Sequence, residues 1–133
     1  MTRAVRDVMT TPMLTLDAET PVSEAARGML EAGIKSVVVV EEACRPAGIF
    51  TSTDAVRVAA DEASAADVTV DEYMATDVET VGPDDSLNDA ARRMLEADVS
   101  HLPVTDSDGN GVGILTTTDL AESLADNVVA EAE

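Results

Sequence analysis

Two short stretches decide the fold of this chain: Gly48–Asp54, "GIFTSTD", and Gly113–Asp119, "GILTTTD". In each, a short apolar run ends on small polar residues and an aspartate. Threonine followed three residues later by an acid is a capping-box pattern, which starts a helix. The free N–H groups of such a helix end can also bind a ligand. The pattern therefore allows two interpretations, a helix cap or a ligand-binding group.

The chain is an internal duplication with a shift of 65 residues. Residues 9–55 align with 74–120 without a gap, with 16 identities in 47 positions. The strongest block pairs "EAARGMLEA" at 24–32 with "DAARRMLEA" at 89–97. Two copies are too few for a solenoid, so we predict two like units about a pseudo-twofold axis. The predicted boundaries are 1–60 for the first repeat, 61–72 for a connector and 73–133 for the second repeat.

Each copy contains one strongly periodic helix. Apolar residues recur at intervals of three and four, which predicts one buried helical face: Val22, Ala25, Ala26, Met29 and Leu30, repeated as Leu87, Ala90, Ala91, Met94 and Leu95. Thr20 is the predicted cap of the first helix, with Pro21 at its first position and Gly33 after its end. Asp85 or Ser86 is the predicted cap of the second.

The helix is followed in each copy by two strands and a second helix. A β-branched run, Val37–Val40, predicts one strand, and the apolar run before each threonine predicts the next. Asp106–Gly111 is a turn sequence that predicts a hairpin in the second copy. Each repeat is therefore expected to be β-α-β-β-α, and the fold class to be α/β (α+β).

Composition excludes several classes of protein. The net charge is −19, from 27 acidic and 8 basic residues, which repels nucleic acid and anionic membranes. Such acidity with regular hydrophobic periodicity is typical of proteins from halophilic archaea, because molar salt screens self-repulsion; the alternative, an acidic disordered protein, conflicts with 45% apolar residues. One cysteine and no long apolar segment predict a cytoplasmic, soluble protein.

With these residues in place, the chain resembles a tandem pair of cystathionine-β-synthase (CBS) domains, the Bateman module, over about residues 7–125. The resemblance rests on "VMTTPMLTL" at 8–16, "YMATDVETV" at 73–81, the Ala-Ala-Arg helix, "SHLPVTD" at 100–106, and the two Thr-x-x-Asp ends. The order and spacing of these marks, repeated without a gap, carry the resemblance.

The resemblance implies a stand-alone regulatory or sensor module that is not an enzyme and requires no cofactor. It implies that AMP, ADP, ATP or S-adenosylmethionine binds in the cleft between the two repeats. It also implies a homodimer, a disc of four repeats, that regulates an unidentified protein. The alternative that the sequence leaves open is a ligand-free dimerisation or interaction scaffold.

The resemblance also implies the roles of particular residues. Asp54 and Asp119 would accept hydrogen bonds from the ribose hydroxyls, and four threonines would bind ribose or the first phosphate: Thr51, Thr53, Thr116 and Thr118. Adenine would lie against Met13 and Ile34 in the first copy and against Val78 and Val99 in the second. Four residues stand at the family's phosphate-binding positions: Lys35, Ser36, Ser100 and His101.

Each of these assignments has a structural alternative. Lys35 could be a solvated surface charge, and His101 a half-buried histidine at the end of a strand. Asp77 and Glu79 place negative charge near the second site, so we expect at most one phosphate-rich ligand to bind well. We expect the second site to prefer a neutral or cationic adenosine compound, or to be empty. No Ser–His–Asp, Cys–His or metal-ligand spacing is present in the sequence, which argues against catalysis and against a metal site.

Overall fold

The computed structural model describes residues 3–11, 14–41 and 45–132, with side chains described through residue 125. Short 3-10 turns occur at Val5–Asp7 and Val70–Glu72. The remaining elements, in chain order, are β1 (Thr15–Asp17), α1 (Val22–Ala32), β2 (Ser36–Glu41), β3 (Arg45–Thr51), α2 (Ser52–Ala60), α3 (Leu87–Ala97), β4 (His101–Thr105), β5 (Gly111–Thr116) and α4 (Thr117–Ala132). No helix in the described ranges has the length and apolar character needed to cross a bilayer.

The strands form two small sheets, as the predicted mixed α/β fold requires. In the first sheet, β1 pairs parallel to β2, and β2 pairs antiparallel to β3. The second sheet is the antiparallel hairpin of β4 and β5. The first repeat therefore has the predicted β-α-β-β-α order. In the second repeat the leading strand is reduced to one parallel bridge, between Val81 and Val104.

Helix α1 begins one residue later than predicted, and the prediction that Thr20 caps it is wrong. Pro21 precedes the first turn in an extended conformation, and no side chain caps the helix. Main-chain carbonyls replace the cap: Val22 N–H donates to Val68 O and Ser23 N–H donates to Ala65 O, both at 2.9 Å. Sequence neighbours could not reveal this, because the acceptors lie more than 40 residues away.

The C-terminal end of α1 and the N-terminal end of α3 agree with prediction. Gly33 follows α1 in the left-handed region, at φ 67°, where glycine pays no steric penalty. Ser86 caps α3 by accepting a hydrogen bond from Asp89 N–H at 3.1 Å. Both signals are local, which is why the sequence was sufficient to find them.

Only some of the residues that we predicted on the buried face of α1 and α3 are buried. In α1, Val22, Ala25 and Met29 lie in the core. Leu30 and its counterpart Leu95, which we predicted on the buried face, are each 83% exposed. The stripe is narrower than the sequence indicated, and it leaves one leucine of each helix on the surface.

The chain divides into two compact units, which differ from the predicted repeat boundaries. The first unit is Leu14–Val78, and the second unit combines Met1–Met13 with Glu79–Glu133. Residues 3–11 therefore pack with the second repeat, and the described part of 61–78 packs with the first. Val70 is fully buried in the core of the first unit, and Val5, 65 positions earlier, is fully buried in the core of the second.

Two glycines at equivalent positions of the repeats, Gly48 in β3 and Gly113 in β5, leave room for the chain segments around Ala75 and Thr10. Ile49 exchanges two main-chain hydrogen bonds with Ala75, both at 3.0 Å. A Cβ on Gly48 would lie 2.9 Å from the carbonyl oxygen of Ala75 and would overlap the Met74 side chain. A Cβ on Gly113 would lie 3.0 Å from the carbonyl oxygen of Thr10. The glycine of the repeated stretch therefore makes room for another segment of the chain.

We expect opposite effects on stability from alanine at two glycines of the first unit. Gly48→Ala should lower the free energy of unfolding by about 1–3 kcal/mol, since the segment around Met74 must move. Gly28→Ala should raise it by about 0.5–1 kcal/mol, because Gly28 lies inside α1 and a Cβ there meets nothing within 4 Å. Urea denaturation at constant KCl measures both, and a Gly48→Ala protein as stable as wild type would contradict the close approach.

Candidate functional site

In the first unit, Asp54 lies at the N-terminal end of α2 and is almost fully buried. Its Oδ2 accepts a hydrogen bond from Thr51 N–H at 2.9 Å and one from the Thr51 hydroxyl at 3.2 Å. The Thr51 hydroxyl oxygen in turn lies 3.4 Å from Asp54 N. Asp54 Oδ1 lies 3.3 Å from the Arg57 guanidinium. The predicted capping box is therefore formed, and the carboxylate also has a cationic partner.

Strand pairing and main-chain bonds collect further predicted residues around this helix start. Ser36 of β2 lies opposite Thr51 of β3. The carbonyl oxygen of Lys35 accepts a hydrogen bond from Ser52 N–H at 2.9 Å, which holds Lys35 beside the first turn of α2. Ile34 is half-buried against the core, and Thr53 is exposed. We call Lys35, Ser36, Thr51, Thr53, Asp54 and Arg57 the Asp54 end.

The second unit repeats this geometry around Asp119. Asp119 Oδ2 accepts from Thr116 N–H at 2.9 Å, and the Thr116 hydroxyl oxygen accepts from Asp119 N–H at 3.1 Å. The Thr10 hydroxyl donates to Asp119 Oδ1 at 3.2 Å. Asp119 is more exposed than Asp54, and Thr118 is exposed. A carboxylate oxygen of Asp119 thus already accepts a hydrogen bond from a hydroxyl group that lies far away in the sequence.

Ser100 and His101 lie beside this second helix start. The carbonyl oxygen of Ser100 accepts from Thr117 N–H at 3.1 Å, and His101 lies opposite Thr116 in the hairpin. Nδ1 of the half-buried His101 lies 2.9 Å from the Ser100 hydroxyl. Burial lowers the pKa of the His101 imidazole below its ordinary value, and the carboxylate of Asp119 opposes this with a smaller effect. Lowering the pKa favours the neutral imidazole of His101 at pH 7.

We call Ser100, His101, Thr116, Thr118, Asp119 and Glu122 the Asp119 end. Val99 is half-buried against the core of this unit. Val78, which we predicted to lie against adenine together with Val99, belongs to the compact unit of Asp54, and its role stays a prediction. Met13 lies outside the described residues.

Sequence reasoning missed three residues at or beside these ends: Thr10, Arg57 and Glu122. Thr10 reaches Asp119 across 109 positions, and no local signal marks it. Arg57 lies beyond the aligned block, but its spacing of three from Asp54 on a helix is a signal that could have been used.

One open cavity lies elsewhere in the second unit. It has a volume of about 350 Å³ and none of the predicted site residues lines it; the lining residues are Thr80, Val81, Gly82, Pro83, Asp84, Asp85, Arg93, Thr105, Asp106 and Ser107. Three of its charged side chains have internal partners: Asp85 accepts from Gly82 N–H, Arg93 donates to Thr80 O, and Asp106 accepts from two turn amides. In the described part of the chain, no group of three or more His, Cys, Asp or Glu residues could hold a metal ion.

Comparison with known proteins supports a duplicated architecture. The family model of the CBS domain matches residues 5–61 and again residues 70–126. A 17.7 kDa protein of Acidianus ambivalens is 34% identical over 126 residues, covering 95% of this chain and 76% of that protein. A homoserine O-acetyltransferase of Methanosphaera stadtmanae is 32% identical over 117 residues. That match covers 88% of this chain but only 23% of the enzyme.

A solved structure has the same fold over almost the whole chain. It is the CBS domain pair of protein MJ0100 in complex with 5′-methylthioadenosine and S-adenosyl-L-methionine. The TM-score is 0.88 and the sequence identity 26%, with 96% of this chain and 99% of that chain covered.

Proposed function

Because this chain belongs to the CBS domain family and carries two CBS domains, we propose that it is a regulatory module that binds adenosine-containing ligands at the Asp54 and Asp119 ends. AMP, ADP, ATP, S-adenosylmethionine and 5′-methylthioadenosine are the candidate ligands. The similar CBS pair that holds two adenosine compounds supports this class of ligand. The match to homoserine O-acetyltransferase covers 23% of that enzyme, so its activity forms no part of the proposal.

The observation that carries the proposal is the hydrogen bond that the Thr10 hydroxyl donates to the carboxylate of Asp119. The side chain of Thr10 donates to Asp119 Oδ1 while Thr116 N–H occupies Oδ2. A ribose offers two adjacent hydroxyls, and one of them can take the place of the Thr10 hydroxyl on the same oxygen. Hydrogen bonds to a charged acceptor are stronger than neutral ones, so a carboxylate held by its own helix start suits a diol.

The proposed roles of the other residues follow from their positions. Thr53 and Thr118 are exposed on the first turn of their helices, where they can bind ribose or the first phosphate. Ile34 and Val99 are half-buried apolar surfaces for adenine, and we propose the same role for Met13 and Val78. Ser36 and His101 lie opposite the capping threonines, where they can donate to a ligand oxygen. This donation requires the His101 tautomer that carries its proton on the nitrogen facing the ligand.

Replacing either aspartate with asparagine should weaken ligand binding at that end and leave binding at the other end unchanged. Asp54→Asn and Asp119→Asn keep the side-chain shape but lose the charge. A hydrogen bond to a charged group contributes about 1.5–3 kcal/mol, so affinity at the altered end should fall about 10- to 100-fold. Calorimetric titration with ATP, ADP, AMP, S-adenosylmethionine and 5′-methylthioadenosine measures this for each variant.

Asp89→Asn is the matched control, because Asp89 is the third residue of α3 as Asp54 is of α2, but belongs to neither end. It should bind every ligand as wild type does. The proposal is wrong if wild type shows neither binding heat nor a rise in melting temperature with any of the five compounds. It is also wrong in its site assignment if both asparagine variants bind as wild type does.

A ligand-free interaction scaffold is the second candidate, and exposed leucines favour it. Leu30 and Leu95 occupy equivalent helix positions and are each 83% exposed. Apolar side chains exposed in this way suit association with a second copy or a partner protein. We propose that the chain forms a homodimer under either function, and that the regulated partner is another protein or domain. A ligand panel without any effect on melting temperature would favour the scaffold.

We further propose that the acidic surface is an adaptation to molar salt in the cytoplasm of a halophilic archaeon. The chain has 27 acidic and 8 basic residues, and such a surface is tolerated where salt screens repulsion over distances of about 3 Å. The dependence of the melting temperature on KCl concentration tests this adaptation.

A further inference from the structure

The two ends differ in charge at equivalent positions. At the shift of 65 residues, Arg57 corresponds to Glu122 and Lys35 corresponds to Ser100. The aspartate itself is common to both ends. Counting the Asp, Glu, Lys and Arg side chains alone, the Asp54 end has a net charge of +1, from Lys35, Arg57 and Asp54. The Asp119 end has a net charge of −2, from Asp119 and Glu122.

At the Asp54 end, the positively charged side chain of Arg57 lies beside Asp54, near the N-terminal end of α2. Arg57 Nη1 lies 3.3 Å from Asp54 Oδ1, and the side chain of Arg57 is 65% exposed while that of Asp54 is 6% exposed. The guanidinium therefore faces solvent from beside a buried carboxylate. Lys35, the only lysine of the chain, is held beside the same helix turn by its carbonyl oxygen. Two of eight basic residues thus flank one helix end.

At the Asp119 end, the same positions offer no positive charge. Glu122 is exposed one turn after Asp119 on α4, on the side of the helix that Asp119 occupies. Ser100 replaces the lysine and is bonded to His101. The basic side chain that contacts this part of α4 is Arg3, whose guanidinium donates to Ser123 Oγ at 3.3 Å and stands at neither of the positions of Lys35 and Arg57. A phosphate group brought to this end would meet the carboxylates of Asp119 and Glu122 with Arg3 as its one nearby cation among the described contacts, which is less favourable than the Asp54 end.

We propose that Arg57 and Glu122 determine the charge of the ligand at each end: the Asp54 end takes a phosphate-bearing adenosine compound, and the Asp119 end takes an uncharged or cationic one. This inference rests on the proposed function, since it assumes that an adenosine compound binds at both ends. It adds a selectivity that the shared Thr-x-Thr-Asp pattern does not contain.

The test isolates one end at a time and reverses its charge. In the Asp119→Asn background, Arg57→Glu should weaken ATP binding about 10-fold and change 5′-methylthioadenosine binding less than twofold. In the Asp54→Asn background, Glu122→Arg should strengthen ATP binding about 10-fold and weaken S-adenosylmethionine binding. Titrations should use the lowest KCl concentration at which the fold is intact, because salt screens the effect.

Two further variants separate charge from structure. Arg57→Gln removes the charge but keeps a donor for Asp54, so it should weaken ATP binding in the same direction. Arg92→Glu reverses the charge of another i,i+3 partner, 3.6 Å from Asp89, and should leave the preference for ATP unchanged.

Three results would overturn the inference. Equal changes in ATP and 5′-methylthioadenosine affinity in Arg57→Glu would mean that Arg57 acts only on the fold. Adenosine compounds that bind to both ends irrespective of these charges would refute the selectivity but leave the proposed function standing. Absence of binding to wild type would refute both.

Discussion

Replacing Phe50 with alanine should lower the free energy of unfolding by about 3–5 kcal/mol, the usual cost of removing a buried phenylalanine. Phe50 is the only phenylalanine of the chain and is fully buried. Its core cluster consists otherwise of small aliphatic residues and one methionine: Val22, Ala25, Met29, Val37, Val39, Val58 and Val70. These buried side chains are too small to fill the cavity. The larger side chains packed against the cluster, among them Leu16, Tyr73 and Met74, are only partly buried, so we expect repacking to relieve only part of the cost.

Chemical denaturation at constant KCl measures this loss. Val112→Ala is the control, because Val112 also lies on a strand but is 36% exposed, and its loss should be about 0.5 kcal/mol or less. Domains of ordinary stability have 5–15 kcal/mol in total, so Phe50→Ala removes a large share. A loss below about 1 kcal/mol would show that the first unit does not depend on this side chain.

Removing salt should weaken first the proposed dimer and then the fold. The net charge of −19 acts over a Debye length of about 30 Å at 0.01 M salt but only about 3 Å at 1 M. Three ion pairs offer little compensation, because each includes at least one well-exposed partner: Arg6–Asp84, Arg57–Asp54 and Arg92–Asp89. Melting followed by circular dichroism and molar mass from light scattering, between low and molar KCl, measure the two effects.

A charge variant distinguishes screening from a general salt effect. Glu31 and Glu96 are exposed at equivalent positions of α1 and α3. In the double variant Glu31→Gln/Glu96→Gln, the melting temperature should depend less steeply on KCl because two repelling charges are gone. A wild-type melting temperature that is flat or falls with added KCl would contradict adaptation to molar salt.

Local chemistry in the sequence was enough for much of this structure. The first helix to within one residue, the left-handed Gly33 and the two capping boxes each depend on residues within a few positions of one another. Helix caps and turns are short-range interactions, so a single sequence displays both partners. Ser36 and His101 were singled out by the family resemblance alone, and strand pairing places them opposite Thr51 and Thr116.

Long-range packing decided the rest. Thr20 does not cap α1, because carbonyl groups of residues 65 and 68 already bind the first N–H groups of that helix. Leu30 and Leu95 remain exposed, since the rest of the stripe fills the core.

Only the tertiary structure shows why a glycine stands at the start of both repeated stretches. Gly48 and Gly113 recur in the sequence, and the folded chain uses them to admit the segments at Ala75 and Thr10. The segment at Thr10 then brings a hydroxyl group to Asp119 across 109 positions, while Ala75 brings none to Asp54. Periodicity and capping rules describe neighbours along the chain, whereas this difference between two nearly identical ends arises from contacts that exist only once the chain has folded back on itself.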